Sequence, residues 1–213
     1  MHTLQTHIER HRDALERLEA LSPTLEQAVL ACTRSLDAGG KILTCGNGGS
    51  AADAQHLAAE LTGRYRRERR PLAAVALTTD SSALTCIGND YAFAEVFARQ
   101  VTALARPGDV VLGLSTSGHS ENIWRALEAA RACGAVPIAL TGEAGGRVAE
   151  AAEVALKVPS SVTAHVQELS ILLIHVLCEA IDTHVLGGAD THVLGEADTH
   201  VLGQADTHVL GEA

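Results

Sequence analysis

Residues able to do chemistry on a small anionic molecule fall in widely separated parts of this 213-residue sequence. The first set is Cys45-Gly46-Asn47-Gly48-Gly49-Ser50, which runs into an alanine-rich segment carrying His56 and Glu60. Glycines let a backbone turn sharply and approach a ligand closely. Ser50 stands where a helix N-cap is wanted. The helix start beyond it offers amide N–H groups and a positive dipole end to an anion. His56 and Glu60 are four residues apart and so share one helix face, as an acid–base or metal-binding pair. The other reading of the same stretch is a tight turn followed by a solvated helix face.

The second set surrounds Gly118 and His119: Ser115, Thr116, Ser117 and Ser120 put four hydroxyls within six residues, more than one helix cap requires. With helix N–H groups they could satisfy phosphate oxygens. The turn lacks the lysine of a nucleotide P-loop, which points to a phosphorylated metabolite rather than ATP. A serine-capped turn is the plainer alternative. Asn89-Asp90 could reach sugar hydroxyls or close an Asx turn. Gln167, Glu168 and His175 sit in an apolar run near the end, where a histidine serves equally well in a core or at a cap.

Alternating elements must position these groups. Strand-like apolar runs fall at 41–45, 72–78, 109–115, 136–141 and 153–158. Helical patterns lie between them at about 50–64, 92–105 and 120–133, with shorter ones near 82–88 and 146–151. A long apolar helix follows over roughly 162–183. Repeated strand–helix order predicts a parallel sheet with helices on both faces, and ligands bind beyond the carboxyl ends of such strands. Both the glycine turn and the serine turn fall at such ends. Ahead of the first strand, a helix over about 3–20 and a second opened by Pro23 and ended by Gly39-Gly40 are expected to pack on the core or on a second subunit.

Composition narrows the class. Hydrophobic residues make up 46% and aromatics 2% of the chain, so the core is built from Ala, Val, Leu and Ile, as in covered parallel sheets. A formal net charge of −10 argues against a general nucleic-acid binder. The local exception is Arg64, Arg66, Arg67, Arg69 and Arg70, which suggests a solvated loop, or else a subunit contact or substrate-steering patch. Cys32, Cys45, Cys86, Cys133 and Cys178 are odd in number and form no CxxC pair, which fits reduced thiols. The polar first residues lack a signal-peptide core, and no unbroken run of about 18 apolar residues is present. A soluble, cytoplasmic protein is expected. Residues 183–213 repeat Thr-His-Val-Leu-Gly with an eight-residue period, bringing His184, His192, His200 and His208. That period turns each copy by about 80° on a helix, and each copy carries a Gly, so a weakly ordered appendage is expected.

Taken in order, Cys45-Gly46-Asn47-Gly48-Gly49-Ser50, Ala59-Glu60-Leu61-Thr62-Gly63, Gly88-Asn89-Asp90, Ser115-Thr116-Ser117-Gly118, Leu140-Thr141-Gly142 and Val166-Gln167-Glu168 resemble the phosphoheptose isomerases of the sugar isomerase (SIS) domain superfamily. The resemblance spans about residues 5–183. It implies a three-layer α/β/α sandwich around a five-stranded, flavodoxin-like parallel sheet, in a cytoplasmic homotetramer. Residues 1–40 would be accessory helices, 41–183 the SIS domain and 184–213 a tail. The implied reaction converts sedoheptulose 7-phosphate to D-glycero-D-manno-heptose 7-phosphate through an enediol, with Glu60 as base and His175 as acid. Substrate would touch Asn47, Gly48, Gly49, Ser50, Glu60, Asn89, Asp90, Ser115, Thr116, Ser117, Ser120 and Gln167. His56, Glu60, Gln167 and His175 match the positions that hold Zn2+ in some relatives, a donor set that suits zinc. Three positions depart from the family pattern: His119 for a usual Asn, His165 for a common Arg, and Ser170 for a frequent His. The rival implied by the superfamily is a non-catalytic member that binds the replication initiator; such proteins lack the Glu and His pair that this chain keeps. An isomerase of another sugar phosphate is the further alternative.

Overall fold

The computed structural model describes residues 3–187; the expected weak order of the repeats concerns residues almost all outside that range. Helices α1 (Leu4–Leu18) and α2 (Ser22–Asp37) precede β1 (Ile42–Gly46) and α3 (Gly49–Thr62). The chain continues through β2 (Ala74–Ala76), α4 (Ser81–Asp90), α5 (Ala98–Leu104), β3 (Val110–Ser115) and α6 (Glu121–Ala132). It closes with β4 (Val136–Gly142), α7 (Gly146–Ala151), β5 (Val154–Val158) and α8 (Thr163–Val185). The five strands form one parallel sheet in the order β2-β1-β3-β4-β5.

Strand side chains alternate between two apolar layers. Ile42, Val110, Leu112, Leu114, Ile138 and Leu140 face α2, α3 and α8, where Leu57, Leu61, Leu169, Leu173 and Leu177 meet them. Leu43, Cys45, Val111 and Ala139 face α5, α6 and α7, packing with Val101, Ile123, Leu127 and Val148. Burial on both faces explains why β1 and β3 read as unbroken apolar runs. Gly113 is the gap through which Ile123 and Leu127 reach the sheet, since a Cβ there would sit 2.8 Å from Ile123 Cγ2. Asp109 ties the sheet's entry edge together. It accepts from the Lys41 and Arg106 amides at 2.9 and 2.7 Å and pairs with the Lys41 ammonium at 2.5 Å. Burial opposes its charge, but these donors win and hold its carboxyl below the ordinary aspartate value.

Some expectations shift. The helix expected over 92–105 is a 3-10 turn at Phe93–Glu95 followed by α5, because Val96 and Phe97 turn inward to fill the core. The arginine run is not wholly solvated. The Arg69 side chain is 0% exposed. Its Nε donates to Asp182 Oδ1 on α8 at 2.7 Å, and its terminal nitrogens donate to the carbonyls of Glu60, Leu61 and Gly63 at 2.7–3.1 Å. It therefore takes up orphan carbonyls at the end of α3 while bonding α3 to α8. Helix α8 is long and apolar enough by length and composition to cross a membrane, yet half of its most apolar window is buried inside the fold. It packs against α2 and α3 as a core helix.

Arg69→Ala would leave Asp182 buried without its partner and uncap α3. We expect a loss of about 3–5 kcal/mol of folding stability, read as a lower urea midpoint; an unchanged midpoint would show that the clasp holds nothing.

Candidate active site

In the order β2-β1-β3-β4-β5 the chain reverses direction of travel across the sheet between β1 and β3. That is the topological switch point, where helices leave on opposite faces and a crevice opens beyond the strand ends. The glycine turn and the serine turn are the two walls of this crevice. On the β1 side Gly48, with φ +58°, takes the cap position and α3 starts at Gly49. Ser50, expected at the N-cap, is the second residue of the helix, because a positive φ at Gly48 lets the chain enter the helix sooner. Its amide bonds the Asn47 carbonyl at 3.1 Å. Gly46 is required beside it, since a Cβ would collide with the Ser50 carbonyl. No side chain caps α3.

On the β3 side Ser120 does occupy the N-cap of α6, but its hydroxyl makes no capping bond. It accepts from Ser115 Oγ at 3.0 Å instead. Ser117 is exposed, Thr116 half-buried and Ser115 buried. Gly118, with φ +69°, brings this turn against the backbone of Gly145, where a Cβ would not fit. His119 folds back on its own loop, its Nδ1 donating to the Ser117 carbonyl at 2.6 Å. Arg147 donates to the His119 carbonyl at 3.1 Å and pairs with Glu121. Two helix N-termini without side-chain caps thus converge on one crevice, which is favourable for an anion. Asn47 and Asn122 lock them together by reciprocal amide bonds of 2.9 and 2.8 Å.

The acid–base groups lie lower on one face of the sheet. His56 Nε2 is 3.2 Å from Glu60 Oε1 and 3.0 Å from His175 Nε2. The structure therefore brings His56, Glu60 and His175 to one place, with His56 between the other two. Tyr65 stacks on the His175 ring at 5.5 Å between centroids and a 23° angle; burial first, then the Glu179 charge, pushes its phenol up. Gln167 lies eight residues before His175, about 12 Å along the helix, and its amide lies over Gly49. Asn89 and Asp90 are exposed at the end of α4, where Asn89 Nδ2 donates to Asp90 Oδ1 at 2.8 Å. Two further groups had no signal in spacing: Asn122, and Asp53 one turn before His56. Burial raises the Asp53 carboxyl, against the opposing pull of His56, and its Oδ2 is buried without a hydrogen-bond partner.

The chain is similar to known proteins over most of its length. Residues 6–142 match the SIS domain family. A phosphoheptose isomerase from Thiobacillus denitrificans is 53% identical over 176 residues, covering 81% of this chain and 89% of that protein. The structure of phosphoheptose isomerase GmhA from Neisseria gonorrhoeae is 50% identical with a TM-score of 0.80, covering 85% of this chain and 100% of that one. That of a phosphoheptose isomerase from Francisella tularensis is 40% identical with a TM-score of 0.82, covering 84% and 96%. The crevice, the carboxylate–imidazole cluster and these likenesses together assign the chain to the phosphoheptose isomerase family of SIS-domain enzymes.

Proposed function

We propose that the chain interconverts sedoheptulose 7-phosphate and D-glycero-D-manno-heptose 7-phosphate, with the phosphate held between the glycine and serine turns. The observation that carries this is the shared contact of Glu60 and His175 with one nitrogen of His56. An aldose–ketose isomerisation needs a base to take a proton from the carbon beside the carbonyl and return it to the neighbouring carbon. It also needs an acid to serve the two oxygens. Glu60 is the base and His175 the acid. Tyr65, stacked on His175, restricts its ring, and the Arg69 bond to the Glu60 carbonyl fixes the backbone that carries the base.

Ser50, Ser115, Thr116, Ser117 and Ser120 are the phosphate contacts, aided by the starts of α3 and α6. Asn47, Gly48, Gly49 and Gln167 line the path from that end toward the reacting carbons. Asn89 and Asp90 contact substrate from α4; their outward position in one chain supports a role completed in an assembly. Anchoring the far end in this way converts binding energy into orientation at the reacting end.

The donor chemistry of His56, Glu60 and His175 suits a zinc ion: two imidazoles and a carboxylate, with His56 Nε2 3.0 Å from His175 Nε2 and 3.2 Å from Glu60 Oε1. Gln167, eight residues earlier on α8, is the fourth position that the family resemblance assigns to zinc. Bound there, zinc would act as a Lewis acid toward the substrate oxygens.

A cytoplasmic homotetramer is the working form we propose, with residues 41–183 as the SIS domain. Exposed Leu4, Ile8 and Leu15 on α1 and Leu30 on α2 support a further subunit covering these helices. The five cysteines are free, and burial pushes Cys32, Cys45 and Cys178 up to about 12, which suits a reducing compartment.

Glu60→Gln keeps the shape and removes the base, so turnover of sedoheptulose 7-phosphate is expected to fall about 10²–10⁴-fold. A folded variant with parental turnover would refute the assignment. Light scattering on a sizing column should give four chains per particle, and a monomer would contradict the assembly.

A further inference from the structure

A second group of metal-ligand side chains lies outside the isomerase cluster, where α1 crosses the start of α8. His7 and His11 are four residues apart on α1, and His165 and Glu168 three apart on α8, so each pair shares a helix face. Glu168 reaches both α1 histidines, its Oε1 3.1 Å from His7 Nε2 and its Oε2 2.8 Å from His11 Nδ1. The rings of His7 and His11 stand edge-on to His165 at 4.6 and 5.8 Å between centroids. One ligand atom from each of His7, His165 and Glu168 lies within 4.8 Å of the other two.

Two details separate this cluster from an ordinary surface ion pair. His11 Nδ1 is buried and makes no hydrogen bond, although the Glu168 oxygen is close. The carboxylate is near this nitrogen but out of line with it, which leaves a buried donor atom unsatisfied. His165 is 3% exposed, and its burial, reinforced by His7 and His11, pushes its imidazole below the ordinary histidine value. His7, His165 and Glu168 are a borderline-soft donor set of three, with His11 beside Glu168 as a fourth donor, which suits Zn2+. The present spread is wider than the edge of about 3.4 Å in a zinc tetrahedron. His7 and Glu168, bonded to one another at 3.1 Å, have side chains 44% exposed, which leaves room for them to close it.

We propose that His7, His11, His165 and Glu168 form a zinc site that clamps α1 onto α8. Helix α1 needs such a fastening. Only Ala14 and Leu18 of its residues are buried, and Leu4, Ile8 and Leu15 are exposed. Apart from the cluster, its described polar tie to the core is the bond from Arg17 to the Pro159 carbonyl. The site is independent of the isomerase cluster, since none of its four residues contributes to that one.

The test is hydrogen–deuterium exchange of the full chain read by mass spectrometry on peptides from α1, with and without Zn2+. Reading α1 alone separates this site from the tail histidines and from His56 and His175. Zinc at about ten times its dissociation constant should slow α1 exchange about tenfold. H7A/H11A should abolish that protection, as should E168Q, which keeps every histidine and the shape of the glutamate; whichever variant retains the parental far-UV spectrum decides. Parental α1 peptides unaffected by zinc, or equal protection in a folded variant, would overturn the proposal.

Discussion

Helices α3 and α8 lie side by side and run in the same direction, because each follows a parallel strand and returns along the same face of the sheet. Gly49 meets Gln167 near their starts, and His56 meets His175 two turns on. Leucines pack the seam from the sheet side, and Arg69 with Asp182 closes it at the far end. Every acid–base group depends on this one packing. Glu60 and His175 are 115 residues apart in the chain, and neither helix alone could hold both. The clasp is also the costly part of the arrangement: a guanidinium and a carboxylate fully removed from water are stable only while each satisfies the other.

The anion end of the site follows from topology rather than from any one side chain. Parallel strands force connections over the faces, and the reversal of direction between β1 and β3 leaves the starts of α3 and α6 facing the same crevice. In both helices the usual capping bond is missing, at Gly48 because there is no side chain and at Ser120 because its hydroxyl turns to Ser115. That spends helix stability of about 1 kcal/mol at a cap and leaves donors oriented for a ligand. The Asn47–Asn122 pair keeps the two walls in register. The start of α3 faces this crevice, and His56 with Glu60 follows about two turns on along the same helix.

Much of this is legible in the amino-acid order. Apolar runs between glycine turns mark all five strands, since a covered parallel sheet demands such runs. The edge strand β2 is shorter than its apolar run, because Leu72 and Leu77 are buried beyond the ends of the ladder. The glycine and serine turns announce themselves by composition, and His56 with Glu60 by helical spacing. Ser50 was misleading, because a serine suits both a cap and the second position of a helix, and only the φ of Gly48 separates them. Arg69, Asn122 and Tyr65 were invisible for another reason. Their partners lie 113, 75 and 110 residues away, and no local periodicity encodes a bond over such distances. The histidines of α1 look like solvated polar positions until α8 is laid across them.

Proton transfer between adjacent carbons, mediated by Glu60 beside His175, is best tested by following sedoheptulose 7-phosphate with the full chain in D2O by NMR. Growth of the aldose heptose 7-phosphate with deuterium at its second carbon is the expected result. An unchanged ketose would contradict an enediol made and quenched by these two side chains, as would an aldose free of deuterium formed equally fast by a folded Glu60→Gln variant.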